Sequence, residues 1–139
     1  MLLMNSIQRY LKSYTIRWLC ALAWTAMTLA LMLAFSGDGT AVTWISKLFG
    51  GTETTDAIGH VMLYGGLTLL WIWALVAHYP KRTAILIAAG IGLVLGIGCE
   101  LSQQFVIERG TTVLDLAANI TGICFAGVLA HRTRAEPTP

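Results

Sequence analysis

Polar side chains that can take part in chemistry recur at helical spacing inside apolar stretches of this chain. Asp56, His60 and Tyr64 follow one another at intervals of four residues, which places them on one face of a helix. Asp115 and Asn119 have the same spacing further along the chain. Carboxylates, an imidazole and an amide can transfer protons or form hydrogen bonds to a ligand. These five residues therefore mark a candidate functional site.

A further apolar stretch contributes polar residues close to its end. Glu100 and Gln103 lie in that stretch, and Arg109 follows shortly after it. The planar guanidinium group of an arginine binds carboxylates and phosphates through paired hydrogen bonds, so we predict Arg109 as the counter-ion of Glu100 or Asp115. The predicted ligand-binding residues are Asp56, His60, Tyr64, Glu100, Gln103, Arg109, Asp115 and Asn119.

The composition of the 139-residue chain indicates what kind of element positions these residues. Hydrophobic residues make up 56% of the chain and charged residues 12%, and the mean hydropathy is +0.70. A soluble protein carries roughly 25% charged residues, and the nine basic and seven acidic side chains present here are too few to cover a soluble domain of this size. This composition excludes a soluble enzyme, a disordered chain and a disulfide-stapled secreted peptide. The net charge of +2 does not indicate binding to nucleic acid.

Four apolar stretches are long enough to cross a bilayer, which takes about 20 residues per helix. Because lipid offers the backbone no hydrogen-bond partners, each stretch must be a helix, and we predict an all-α integral membrane four-helix bundle. The predicted spans cover about residues 17–35, 56–79, 83–105 and 112–130. They form one transmembrane domain at 17–131, which follows an interfacial lead-in at 1–16 and precedes a disordered cytoplasmic tail at 132–139. A cleaved signal peptide is the alternative interpretation of residues 1–35, but their apolar run exceeds the roughly 7–15 residues of such a signal.

The basic residues predict the orientation of the bundle, because Lys and Arg are enriched in cytoplasmic segments. Most of them precede the first span, lie between the second and third spans, or follow the fourth, and only Lys47 and Arg109 fall on the opposite side. We therefore predict that both termini are cytoplasmic and that segments 36–55 and 106–111 lie outside, with a short interfacial helix in the first of these. The polar residues then lie in the outer part of the bilayer.

Small residues predict how the last two spans pack. Gly92 and Gly96 form a GxxxG pattern in the third span, and Ala118, Gly122 and Ala126 repeat at the same spacing in the fourth. Small residues at this spacing let helix backbones approach closely. We therefore predict that spans three and four pack as a tight hairpin.

Three interpretations of the polar residues are open at this point. They could form a buried hydrogen-bond network that fixes the register of the helices. They could be solvated helix ends, which suits Asp56 but not His60 or Glu100. We favour a functional site that faces the outside, because ionisable residues within a membrane are costly and are typically functional.

The same residues allow two kinds of catalytic site. His60 could act as a general base or nucleophile, with Asp56 or Asp115 orienting it. His60, Glu100 and Asp115 could instead ligate a divalent metal, but the sequence has no recognised ligand motif such as HExxH. We therefore predict no metal and no cofactor. Catalysis is left undecided, and a binding role is favoured.

The order of these residues resembles the VanZ-like family across all four spans. The matching pattern is Asp56-x3-His60-x3-Tyr64 followed by Glu100-x2-Gln103-x-Phe105-x3-Arg109-x5-Asp115-x3-Asn119-x2-Gly122. The resemblance implies a small four-helix bacterial membrane protein whose founding member is linked to reduced susceptibility to teicoplanin, a glycopeptide with a lipid tail. This chain has Ala57 where many relatives have Lys, and Ile107 where they often have Pro. The missing Lys removes one counter-ion for Asp56.

Taken with the resemblance, the residues predict a multi-pass protein of the bacterial cytoplasmic membrane with an outward-facing polar pocket. We expect the pocket to recognise a membrane lipid or a lipid-linked or lipophilic cell-envelope component. The alternative is a membrane-embedded enzyme that acts on a lipid phosphate or a cell-wall precursor. A small transporter or helper subunit is a third class, although four spans are few for a transporter built from inverted repeats. A homo-oligomer is left open, and no nucleic acid is expected.

A pair of reporter fusions tests the predicted orientation. Green fluorescent protein fused to the C-terminus should fluoresce, because it folds in the cytoplasm, and alkaline phosphatase fused after Gly39 should be active, because it folds outside. Exchanging the two reporters is the control and should silence both. Active phosphatase at the C-terminus would contradict the predicted orientation.

Overall fold

The computed structural model describes residues 2–33, 53–103 and 113–133, and all regular secondary structure in them is α-helical. The helices are α1 (Leu2–Leu33), α2 (Glu53–Leu75), α3 (Lys81–Gln103) and α4 (Val113–Arg132). Each contains a stretch long and apolar enough to cross a membrane, namely Tyr14–Leu33, Thr54–Leu75, Lys81–Gln103 and Val113–Arg132. The prediction of four membrane-spanning helices is confirmed at this level, as expected of a multi-pass membrane protein. The interfacial helix predicted within 36–55, the segment 106–111 and most of the tail lie outside the described residues.

Two helix boundaries differ from the expected ones by four residues or more. α1 runs from Leu2 without interruption, so the lead-in and the first span form one helix. α2 ends at Leu75 rather than at residue 79, and the backbone N–H groups of His78 and Tyr79 both donate to the Leu75 carbonyl in a turn. Pro80 explains this early end, because a proline has no N–H to donate to the Val76 carbonyl four residues earlier and its ring clashes with that carbonyl.

Consecutive helices run antiparallel, and α2 lies at the centre of the bundle. It contacts all three other helices, most extensively α4, whereas α1 contacts mainly α2. We call the end that holds His60, Glu100 and Asn119 the polar end, and the opposite end, which holds Arg17 and Lys81, the basic end. The candidate site is therefore formed at one end of the bundle only.

The outer surface of the bundle is apolar, and its interior contains small and polar side chains. Met62, Leu86 and Val94 are between 68% and 73% exposed. An apolar exterior suits hydrocarbon, which cannot hydrogen-bond to polar groups. The buried polar residues in the described part are Thr28, His60, Thr68, Glu100, Gln103 and Asn119.

α2 and α4 approach each other closely at two glycines. A Cβ atom on Gly122 would overlap the Val61 carbonyl oxygen and would lie 3.0 Å from the Gly65 nitrogen. A Cβ atom on Gly65 would lie 3.4 Å from the Gly122 carbonyl oxygen. The two backbones therefore meet with no side chain between them.

The predicted hairpin of α3 and α4 accounts for only part of this packing. Gly92 and Gly96 of α3 do face α4, against Ile123 and Asn119. Gly122, however, faces α2, which makes the more extensive contact with α4. The small residues of α4 therefore lie at its contacts with both α2 and α3. The closest approach of two backbones is between α2 and α4.

Two tryptophans attach α1 to α2. The indole N–H of Trp24 donates to the Leu63 carbonyl over 3.0 Å, and the ring lies against Gly66, which has no side chain in its way. The indole N–H of Trp71 donates to the Thr25 hydroxyl, also over 3.0 Å. These directional contacts fix both the rotation of α1 and its height along α2.

The substitution Gly122→Ala tests the α2–α4 contact. The added methyl group would overlap the α2 backbone, so we expect a loss of about 1–3 kcal/mol, as found when close-packed interiors are overfilled. Thermal unfolding in detergent measures this as a lower midpoint. Gly90→Ala is the control, because no described atom lies within 4 Å of its Cβ position, and it should unfold at or slightly above the wild-type temperature. A wild-type midpoint for Gly122→Ala would contradict the close approach.

Candidate functional site

The candidate site lies at the polar end, where α2, α3 and α4 each contribute a buried polar side chain. His60, Glu100 and Asn119 are 5%, 7% and 1% exposed. His60 Nδ1 lies 2.8 Å from Asn119 Oδ1, and Asn119 Nδ2 lies 3.3 Å from Glu100 Oε1. Asn119 therefore joins the imidazole to the carboxylate in one hydrogen-bonded chain.

The close approach of α2 and α4 brings these partners together. Asn119 precedes Gly122 by three residues and His60 precedes Gly65 by five, so both lie within two helical turns of the crossing. At this distance from a backbone contact, an asparagine and a histidine side chain are long enough to meet. The glycine pair thus sets the geometry of the site.

The hydrogen-bond chain determines which nitrogen of His60 carries the proton. An ionised carboxylate only accepts hydrogen bonds, so the amide nitrogen of Asn119 donates to Glu100. The amide oxygen then faces His60 Nδ1, which must donate. In the neutral imidazole, Nε2 is consequently the nitrogen with the lone pair.

The second nitrogen of His60 faces another carboxylate. His60 Nε2 lies 3.9 Å from Asp115 Oδ1, and Nδ1 lies 3.7 Å from Glu100 Oε1. Asp115 is partly exposed and sits in the first turn of α4, where the helix dipole favours a negative charge. The imidazole therefore lies between two carboxylates.

Tyr64 forms the inner wall of the site. It is fully buried, and its ring stacks on His60 with centroids 6.4 Å apart and planes 15° apart. A Cβ atom on Gly96 would lie 3.4 Å from both Tyr64 Cε1 and Asn119 Nδ2, so this glycine leaves the room that both side chains use. Cys99 packs in the same buried cluster. The site is thus bounded on its deep side by packed side chains.

The structure brings five of the eight predicted ligand-binding residues together, namely His60, Tyr64, Glu100, Asp115 and Asn119, and places Gln103 and Asp56 away from them. Gln103 is buried, but its side chain donates to the Met32 carbonyl over 2.8 Å and thereby ties α3 to α1. Asp56 is exposed and lies one turn before His60. Arg109 lies outside the described residues.

Gly65 and Cys99 also contribute to the site, and neither is among the predicted ligand-binding residues. Gly65 carries the backbone contact beside Gly122, and Cys99 packs against Tyr64. A signal for the first exists in the sequence, because Gly65 and its neighbour Gly66 directly follow the polar face that ends at Tyr64.

The arrangement allows three kinds of chemistry. Nε2 of His60 can take up a proton, and the carboxylates of Glu100 and Asp115 can accept hydrogen bonds from a ligand. One ligand atom from each of these three residues also lies within 4.8 Å of the other two, close enough to consider a shared cation.

Comparisons of the chain with protein-family models, curated proteins and solved structures found no match. The resemblance to the VanZ-like family therefore stays a proposal, and function has to be argued from the site.

The substitution Asn119→Leu tests the hydrogen-bond chain. It keeps the number and branching of the side-chain heavy atoms but removes the contacts of Asn119 to His60 and Glu100, and we expect a loss of about 1–3 kcal/mol for each buried group affected. The readout is the unfolding midpoint in detergent. Thr121→Val is the matched control on the same helix, because this exposed hydroxyl donates to the Ala117 carbonyl of its own helix. It should change stability by no more than about 0.5 kcal/mol. Equal midpoints for both variants would contradict the assigned role of Asn119.

Proposed function

We propose that this chain is a VanZ-like membrane protein whose polar end binds the head group of a lipid-linked or lipophilic cell-envelope component. The observation that carries the proposal is the buried chain of His60, Asn119 and Glu100, contributed by three helices at one end of the bundle. Polar groups at this depth are costly in a membrane. A binding role accounts for their convergence.

The contact between His60 and Asp115 favours binding over a purely structural network. At 3.9 Å it is too long for a hydrogen bond, so it adds little to the register of α2 against α4. Asp115 is also partly exposed, so it can meet a ligand at the mouth of the site. Glu100 and Asn119 would then shape the deeper part.

The charges indicate which head group fits. The carboxylates of Glu100 and Asp115 accept hydrogen bonds and so favour hydroxyl, amide or ammonium groups, as sugars and peptides carry. Arg109, which we expect at the same end, suits a phosphate or carboxylate. A glycosylated lipid phosphate offers both kinds of group in one molecule.

The predicted orientation supports this class of ligand. The distribution of basic residues predicts that the polar end faces the outside, where a cell-envelope component would meet it. The family resemblance implies the same face, because the target of teicoplanin lies there. A link to glycopeptide susceptibility is part of this proposal.

A membrane-embedded enzyme acting on a lipid phosphate or cell-wall precursor is the second candidate, and one observation favours it. His60 donates through Nδ1 to an amide, which holds the ring and leaves Nε2 as the acceptor. A histidine oriented through one nitrogen and basic at the other is the general base of many hydrolases. Product formation would distinguish this candidate from simple binding.

A binding experiment in lipid nanodiscs tests the proposal. The two probes are a polyprenyl phosphate and the same polyprenyl chain carrying a disaccharide on its diphosphate. We expect the sugar-bearing lipid to bind at least about tenfold more tightly, which corresponds to about 1.4 kcal/mol. Asp115→Asn should remove most of that preference, and Arg109→Ala should weaken both lipids.

Thr121→Val, on the exposed face of α4, is the control and should bind like the wild type. Mass spectrometry of the recovered lipid reports any turnover. Equal affinity for the two lipids in the wild-type protein would contradict the proposal, as would a preference that Asp115→Asn leaves unchanged.

A further inference from the structure

The buried imidazole of His60 lies between the carboxylates of Glu100 and Asp115. When ionised, the two carboxylates carry two negative charges, and a protonated imidazole supplies only one positive charge. Two carboxylates buried close together repel each other, so a cation between them lowers their electrostatic free energy. The two positive charges of a divalent cation would offset the two carboxylates, with the imidazole neutral.

We propose that His60, Glu100 and Asp115 bind a divalent transition-metal cation, with zinc as the best fit. One ligand atom from each residue lies within 4.8 Å of the others. Ligands about 2.0–2.2 Å from a zinc ion lie roughly 3 to 4 Å from one another. The 3.9 Å between His60 Nε2 and Asp115 Oδ1 falls in that range, and the 4.8 Å limit on the whole set exceeds it by less than about 1 Å, which the Glu100 carboxylate would have to close.

The kind of ligand selects the metal. One imidazole nitrogen with two carboxylate oxygens suits zinc, whereas calcium and magnesium sites are built from oxygen ligands. Three protein ligands are also the number found in zinc sites that keep a fourth position open. That position would take a water molecule or an oxygen atom of a bound molecule.

Asn119 supplies an independent observation in favour of a metal. A histidine that binds a metal through one nitrogen almost always donates its other N–H to a fixed acceptor. His60 Nδ1 donates to the amide oxygen of Asn119 over 2.8 Å, which leaves the lone pair on Nε2, the nitrogen that lies 3.9 Å from Asp115 Oδ1. Asn119 is therefore a positioning residue for the metal ligand.

The metal site does not depend on the proposed binding of an envelope lipid, and its test uses the cation alone. The purified protein in detergent is stripped with a chelator, dialysed and titrated with zinc chloride, and bound zinc is measured after desalting. We expect one zinc ion per chain. The substitutions His60→Gln and Asp115→Asn should each weaken binding at least about tenfold.

His131→Gln is the matched control, because His131 is an exposed histidine at the basic end of the bundle. It should bind zinc like the wild type. Cobalt provides a second measurement that needs no variant. The visible absorption of the cobalt-loaded wild-type protein should report nitrogen and oxygen ligands, with no thiolate charge-transfer band from nearby Cys99.

Wild-type protein that retains no zinc and shows no cobalt absorption would overturn the proposal, and it would leave the lipid-binding proposal standing. Zinc binding that His60→Gln and Asp115→Asn leave intact would also overturn it. Should either variant fail to fold, the stoichiometry and the cobalt spectrum of the wild-type protein still decide the question. Lipid binding without zinc, or zinc binding without lipid, separates the two proposals.

Discussion

The backbone contact between Gly65 and Gly122 is the constraint on which the candidate site depends. It sets the distance between α2 and α4, and that distance allows Asn119 to reach His60. A side-chain hydrogen bond no longer forms at about 3.6 Å, so a side chain between the helices would separate His60 from Asn119 by more than the bond tolerates. The hydrogen bonds that join His60, Asn119 and Glu100 therefore depend on two glycines that lie one to two helical turns away.

The bundle relies on packing and hydrogen bonds rather than on apolar burial. Lipid is as apolar as the side chains it surrounds, so helices in a membrane gain little from hiding leucines from it. This chain places its large apolar residues outside and uses small residues where helices cross. Its interior polar groups bond across helices, as Gln103 does to Met32 and Trp71 to Thr25. Each such bond contributes only a modest free energy to helix association. The close contact of the α2 and α4 backbones adds van der Waals attraction between many atoms.

The four helices could be predicted from the sequence, because bilayer thickness dictates both the length and the composition of a membrane-spanning helix. It also placed His60 and Tyr64 on one face, since the helical period is fixed. It could not assign neighbours: spacing defines a face but does not say which helix that face meets. For that reason Gln103, grouped with the site from its position, turns instead toward α1. The tautomer of His60 required the positions of three side chains at once, which no single-helix pattern contains.

The residues of the hydrogen-bond chain do not become available at the same time. His60 and Glu100 belong to α2 and α3, whereas Asn119 belongs to α4, the last of the four helices. Synthesis delivers a chain from its N-terminus, so the imidazole and the carboxylate emerge from the ribosome before Asn119 does. Arrival of α4 is therefore the step that completes their partnership. A chain that lacked this helix would hold the imidazole of His60 and the carboxylate of Glu100 in the bilayer without the amide that joins them. These buried, unjoined polar groups would distinguish an incomplete bundle from a complete one.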